Sequence, residues 1–273
     1  MNIGMIGTGN MGSILIEAFI DSMAVPPSRL TITNRTISKA VRVKDRYPDI
    51  QVATTATEVA QVADLIFICV KPLEIYPLLQ ELKPVLSSDK CIVSITSPIS
   101  VQQLESEVDA QVARIIPSIT NRALAGVSLV TLGESCSERT SQFLDTLFNQ
   151  ISTPVHIEDN VTRVASDIVS CGPAFFSYLL RRFINAAVKE TQITEEQAVT
   201  LASGMIMGMG KLLEKEIFTL QSLQEKVCVK GGVTGEGIKV LEAELGEVFE
   251  HLYHSTHEKY YEDIELIGEQ FKK

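Results

Sequence analysis

The stretch MNIGMIGTGNMGSILIEAF, residues 1–19, decides the fold. Residues 2–6 are a short apolar run, enough for one buried strand. Gly7, Gly9 and Gly12 follow at G-x-G-x-x-G spacing, with Thr8, Asn10 and Met11 between them. From Met11 the apolar residues Ile14, Leu15, Ala18 and Phe19 recur at helical spacing. Strand, glycine turn and helix thus arrive in the order a dinucleotide-binding fold requires. Gly7 permits the tight turn, Gly9 leaves the backbone open to a pyrophosphate, and Gly12 lets helix and strand pack closely. The helix N-terminus adds free N–H groups and a positive dipole end facing the phosphates. A glycine turn can also be purely structural, but the context the motif needs is met on both sides.

Residues 29–34 (RLTITN) are rich in β-branched side chains and read as the second strand. A fold that prefers NAD places Asp or Glu at the end of this strand, about 20 residues past the turn, to hold the ribose 2′-hydroxyl. Here Asn34, Arg35 and Thr36 stand there instead. Arg35 suits a 2′-phosphate, so NADP is the expected cofactor, the alternative being an ordinary solvated arginine. Residues 63–70 (ADLIFICV) form a continuous apolar run, as for a strand covered on both faces. It ends in Val70, Lys71 and Pro72, at the sheet edge where ligands of parallel sheets bind. Residues 90–95, 112–116 and 127–132 continue the strand series, with 154–157 as a last edge strand. Strands alternating with helical stretches indicate an α/β, doubly wound parallel sheet.

After residue 160 helical periodicity takes over. Ser100 with Gln103, and Thr194 with Gln197, stand at capping-box spacing ahead of helices. The division expected is a Rossmann-like NADP-binding domain over 1–160 and an all-α dimerisation and substrate domain over 161–273. Apolar runs at 174–180 and 202–209 have too little neighbouring sequence to cover them, which implies a partner subunit; helices packing on one another are the alternative. A second glycine concentration, Lys230-Gly231-Gly232-Val233-Thr234-Gly235-Glu236-Gly237, precedes a further helical stretch. Its backbone could hold the carboxylate of a small substrate, with Lys230 adding charge, or it could simply make a turn.

Composition narrows the class. A chain of 273 residues with net charge −10 lacks the clustered basic surface of a nucleic-acid binder. Five scattered cysteines, none in C-x-x-C or metal spacing, point to reduced thiols in a cytoplasm. No signal peptide and no apolar run of about 20 residues is visible. His251, His254 and His257 swing about 120° around a helix and do not converge, so no metal is expected; a solvated acidic face is the preferred reading.

With these residues in view, the chain resembles the pyrroline-5-carboxylate reductases nearly end to end. The similarity runs through IGTGNMG at 6–12, Asn34-Arg35, CVKP at 69–72 and CGPAFF at 171–176. It continues through INAAVKETQITEEQA at 184–198, LASGMIMGMGKLL at 201–213 and KGGVTGEGIKVLE at 230–242. The resemblance implies NAD(P)H-dependent reduction of a cyclic imine to L-proline by an intertwined homodimer. Thr234 matches the family's active-site threonine, and Lys230, Gly231, Gly232 and Val233 its substrate loop. There are departures. The family's S-P-G-G is Val229-Lys230-Gly231-Gly232, its S-G-P is Cys171-Gly172-Pro173, and its M-P-N-T-P is Ile116-Pro117-Ser118-Ile119-Thr120. An Asn usual before the third helix aligns with Ala56. The pattern is similar to the late-competence ComER-type members, so a dinucleotide-binding regulatory protein with weak catalysis is the rival expectation. Gly204, Gly208 and Lys211 superficially suggest a β-hydroxyacid dehydrogenase, but that family's Asn four positions after its lysine is Lys215 here.

Overall fold

A computed structural model describes residues 1–272. The first half alternates strand and helix: β1 (Ile3–Ile6), α1 (Asn10–Asp21), β2 (Leu30–Thr33), α2 (Ile37–Arg46), β3 (Gln51–Val52), α3 (Ala56–Val62), β4 (Leu65–Ile68) and α4 (Pro72–Leu82). It continues with β5 (Cys91–Ser94), α5 (Val101–Glu105), β6 (Gln111–Ile116), β7 (Val127–Leu132), α6 (Glu138–Asn149) and β8 (Thr153–His156). The strands form one sheet in the order β3-β2-β1-β4-β5-β6-β7-β8. The strands stay parallel there, but the order in which they are added reverses between β1 and β4, which makes that gap the switch point of a Rossmann-like sheet.

The sheet is doubly wound and mostly parallel, as expected, with one exception: β7 runs antiparallel to β6, and β8 runs parallel to β7. The link over 117–126 holds only a short 3-10 turn, Ile119–Ala123. A parallel return needs a crossover of about a dozen residues or more, usually with a helix, so the chain turns straight back. β3 was not foreseen, because two residues show no alternation to read.

Both faces of the sheet are covered, which is why its central strands are apolar throughout. On one face Phe19, Phe67 and Phe148 pack with ring centroids 5.6–6.0 Å apart. Such pairs contribute about 0.5–1.5 kcal/mol each beyond their buried area. On the other face Ile66, Ile68, Ile75, Leu79 and Val112 form a second layer, which Ile267 from the C-terminal stretch joins.

The rest is helical: α7 (Thr162–Ser166), a π-helical turn (Asp167–Cys171), α8 (Gly172–Glu190), α9 (Glu195–Glu214), α10 (Leu220–Val227), α11 (Val233–Glu244) and α12 (Val248–Gly268). Both capping boxes are formed, Ser100 with Gln103 at α5 and Thr194 with Gln197 at α9. The chain separates into two compact units, Met1–Pro173 together with the stretch from Ser255 onward, and Ala174–His254. The second unit has a small core of Ile184, Ala198 and Ala202 with Leu180, Val188 and Ile193 against it. Many of its other large apolar side chains are open: Phe176 is 65%, Phe183 67% and Met207 63% exposed. Among the described residues no helix is long and apolar enough to cross a membrane.

Candidate functional site: a glycine turn, a basic rim and a separate helix start

The turn between β1 and α1 is fixed by backbone contacts that tolerate no side chain. Gly7 has φ +104°, and a Cβ there would lie 2.5 Å from the Cys69 carbonyl oxygen. A Cβ on Gly12 would come within 2.1 Å of the Gly7 carbonyl oxygen, so α1 starts directly against the turn. Gly9 differs. It caps α1, and a Cβ on it would meet nothing within 4 Å. The space in front of the helix start is therefore open, and no acidic residue occupies the first turn of α1 to neutralise its dipole.

The polar groups around this opening are partly committed. Gly7 N–H donates to Thr33 O at 2.9 Å and Thr8 N–H to Asn34 Oδ1 at 3.0 Å. Asn34 Nδ2 donates in turn to Thr36 O at 3.0 Å, so Asn34 ties the turn to the end of β2. The Thr8 hydroxyl is buried and has no hydrogen-bond partner among the described residues. Under the turn, burial pushes the Cys69 thiol up to about 12, which keeps it protonated near neutral pH.

A cavity of about 660 Å³ runs along the ends of β1, β2 and β4. Its walls include Gly7, Gly9, Asn34, Arg35, Thr36, Val70 and Lys71, residues the sequence had singled out from three separate segments. Thr8, Gly9 and Asn10 also border a second cavity of about 630 Å³ beside α2. Met11 and Gly12 lie in the first turn of α1, and Pro72 in the first turn of α4 behind its cap Lys71. The sequence did not foresee Glu74, which pairs with the Arg35 guanidinium across the larger cavity. An open cradle at Gly9, an unpartnered buried hydroxyl at Thr8 and a cationic rim at Arg35, Lys39 and Lys71 together fit a dinucleotide with an added phosphate.

A second polar cluster was not read from the sequence. Arg114, on β6, is 2% exposed and bonds Thr162 Oγ1 at 2.7 Å, Thr131 Oγ1 at 3.2 Å and Ile99 O at 3.3 Å, with Asp159 as its ionic partner. The buried Asp167 carboxylate accepts from Arg163 at 2.9 Å and from the Thr256 hydroxyl at 2.8 Å, with His257 Nε2 at 3.7 Å. His257 thus faces a buried acid, and the solvated-face reading holds for His251, which is three-quarters exposed, but not for His257. Ser118 Oγ donates to Val169 O at 2.8 Å and Ser170 Oγ to Pro117 O at 2.9 Å, so the π-helical turn is sewn to the segment after β6. The available signal was a lone arginine inside the apolar strand run RIIP and an Arg-x-x-x-Asp pair at one-turn spacing.

In the other unit, Gly231 has φ +77° and Gly232 caps α11. Thr234 is the second residue of α11, not its cap, and is half-buried; Lys230 and Val233 are exposed. The Gly232 N–H already donates to Val229 O at 2.9 Å. That corrects the expectation that Gly232 offers its N–H to a carboxylate; the first-turn donors are those of Val233, Thr234 and Gly235.

Comparison with known proteins places this geometry. Residues 159–263 match the family described as pyrroline-5-carboxylate reductase dimerisation, and residues 2–98 match NADP oxidoreductase, coenzyme F420-dependent. Over 269 residues the chain is 30% identical to pyrroline-5-carboxylate reductase 3 of Bacillus subtilis, covering 98% of both. The chain belongs to the pyrroline-5-carboxylate reductase family. Within that family it is 57% identical to ComE operon protein 4 of Bacillus subtilis over 271 residues, 99% of each chain. The fold is that of the Plasmodium falciparum pyrroline carboxylate reductase solved with NADP bound, with a TM-score of 0.83 at 21% identity over 98% of both chains.

Proposed function

We propose that this reductase-family chain uses NADPH to reduce 1-pyrroline-5-carboxylate, or a related cyclic imine, to L-proline, as a cytoplasmic homodimer. The observation that carries the cofactor reading is the cavity beside Gly9, whose rim holds Arg35 where an NAD-preferring fold has an acid. Gly9 and the first turn of α1 hold the pyrophosphate; Asn34, Arg35 and Thr36 hold the adenosine ribose with its 2′-phosphate; Val70, Lys71 and Pro72 border the nicotinamide half. When bound, NADPH supplies the hydride. Residues 1–160 are read as the cofactor domain and 161–273 as the dimerisation and substrate domain, which the dimerisation-family match over 159–263 supports. Five free thiols suit a reducing compartment.

The chain's own contribution to the imine is orientation and proton delivery. A protonated C=N carbon is more electrophilic, so the site needs a hydroxyl or water at the nitrogen and donors for the neighbouring carboxylate. Thr234 provides the hydroxyl from the first turn of α11; Val233 and Thr234 N–H groups and the Lys230 ammonium provide for the carboxylate, with Gly231 shaping the loop. An unperturbed threonine is a poor acid, so Thr234 orients the imine or a water.

The rival is a dinucleotide-binding regulatory protein with little catalysis. Val229-Lys230 in place of Ser-Pro, Cys171 in place of Ser and the 57% identity to ComE operon protein 4 favour it. One assay separates the two: NADPH oxidation with pyrroline-5-carboxylate, beside NADPH binding without it. Turnover that falls at least about tenfold in Thr234→Val, with NADPH affinity unchanged, is expected of the enzyme. Because Gly232 and not Thr234 caps α11, the substitution removes the hydroxyl without removing a cap. Binding without turnover would decide for the rival.

A further inference from the structure

The residues facing Arg35 refine the cofactor reading, on which the following rests. Arg35 lies just past β2 with its side chain 85% exposed, and its hydrogen-bond partner is Glu74, from the first turn of α4 on the opposite wall of the cavity. An exposed ion pair of this kind adds little to stability. Its importance is competitive. A guanidinium paired with a carboxylate must change partners before it binds a phosphate, and the displaced carboxylate then stands beside a second anion. The same cavity carries Lys39 and Lys71 as cations and Glu81 as a second acid. Glu81 accepts from Thr57 Oγ1 at 3.2 Å, away from Arg35.

We infer that Glu74 is a specificity-determining residue that competes with the cofactor's 2′-phosphate for Arg35, moderating the preference for NADPH over NADH. The acid absent from the end of β2 is supplied from across the cavity by α4. There it acts on the arginine that would otherwise read the phosphate without opposition. NADH carries no 2′-phosphate and does not need Arg35, so its affinity is set elsewhere.

The test is fluorescence titration of the full-length protein with NADPH and with NADH at low ionic strength, in the unmodified chain, Glu74→Gln and Glu81→Gln, each checked for folding by thermal melting. In Glu74→Gln the Kd for NADPH should fall about threefold while that for NADH stays the same, and the gain should shrink when salt is added. Glu81→Gln removes the same charge from the same cavity without touching Arg35 and should leave the ratio of the two affinities unchanged. An unchanged ratio in Glu74→Gln overturns the inference, as does an equal change in Glu81→Gln. A gain that persists undiminished when Arg35→Gln is added also overturns it. If neither NADPH nor NADH binds any of these proteins, the cofactor reading itself falls and this inference falls with it. If both bind and only the ratio fails to move, the cofactor reading stands and Glu74 is a bystander.

Discussion

Gly9 and Gly12 lie three residues apart and should respond oppositely to an added methyl group. At Gly12 the methyl meets the Gly7 carbonyl at 2.1 Å, a clash with backbone that only a shift of α1 can relieve. Gly12→Ala should therefore lower stability by about 1–3 kcal/mol, read in a denaturant melt. At Gly9 the methyl enters open space, so Gly9→Ala should melt like the parent yet bind NADPH about tenfold more weakly, the size of one lost phosphate hydrogen bond. Unimpaired NADPH binding in Gly9→Ala would remove the pyrophosphate from this turn. Arg35→Asp, in turn, should abolish the preference for NADPH by repelling the 2′-phosphate, measured as the ratio of the two dissociation constants. These positions were legible in the sequence because glycine spacing and a basic residue after β2 are local signals. Glu74 was not legible. It lies 39 residues from Arg35, and only the parallel pairing of β1 with both β2 and β4 brings the two together.

Among the elements, the π-helical turn Asp167–Cys171 shows where periodicity fails as a guide. The helical periodicity that sets in after residue 160 does not single out this turn, yet the helix widens at Asp167, and its carboxylate is wholly buried between Arg163 and Thr256. Thr256 is 89 residues away, a partner no window of the sequence contains. Removing the acid leaves the Arg163 guanidinium, also stacked 5.4 Å from the Tyr260 ring, buried without its counter-charge. Asp167→Ala should cost about 3–5 kcal/mol of stability. By contrast Glu262→Gln, which weakens an exposed pair with Lys259, should change stability by less than about 1 kcal/mol. A comparable small effect at both sites would mean that the buried cluster contributes nothing to holding the turn. The strands were legible for the opposite reason. Runs such as LIFI in β4 are apolar at every position because helices cover both faces, and that pattern needs no distant partner to be recognised. Besides the two-residue β3, the reversal at β7 escaped, since it depends on how short a link can be and not on which residues fill it.

Over the whole molecule, the two compact units are stabilised very differently. The unit built on the sheet has two continuous apolar layers, whereas Ala174–His254 has a buried cluster of three residues, while Phe176, Phe183, Leu201 and Met207 are each more than 60% exposed. A monomeric soluble protein rarely leaves several large apolar side chains open on adjoining helices. The sequence signalled this through near-continuous apolar runs at 174–180 and 202–209, and the match of 159–263 to a dimerisation family agrees with it. Which side chains stay uncovered was not legible, because periodicity gives the apolar face of a helix but not what lies against it. An obligate homodimer should bury about 2,000 Å² or more in total through these helices. Sedimentation velocity at micromolar concentration should therefore show a dimer or a larger assembly and no folded monomer. Phe183→Lys, at a position 67% exposed in the single chain, should have little direct effect on a monomer's core. In a dimer it buries a charge at the interface, so it should shift the sedimentation boundary toward the monomer and lower the melting temperature at a given protein concentration. If the unmodified protein sediments as a compact monomer and Phe183→Lys melts identically to it, the exposed helices serve some other contact and the homodimer is wrong.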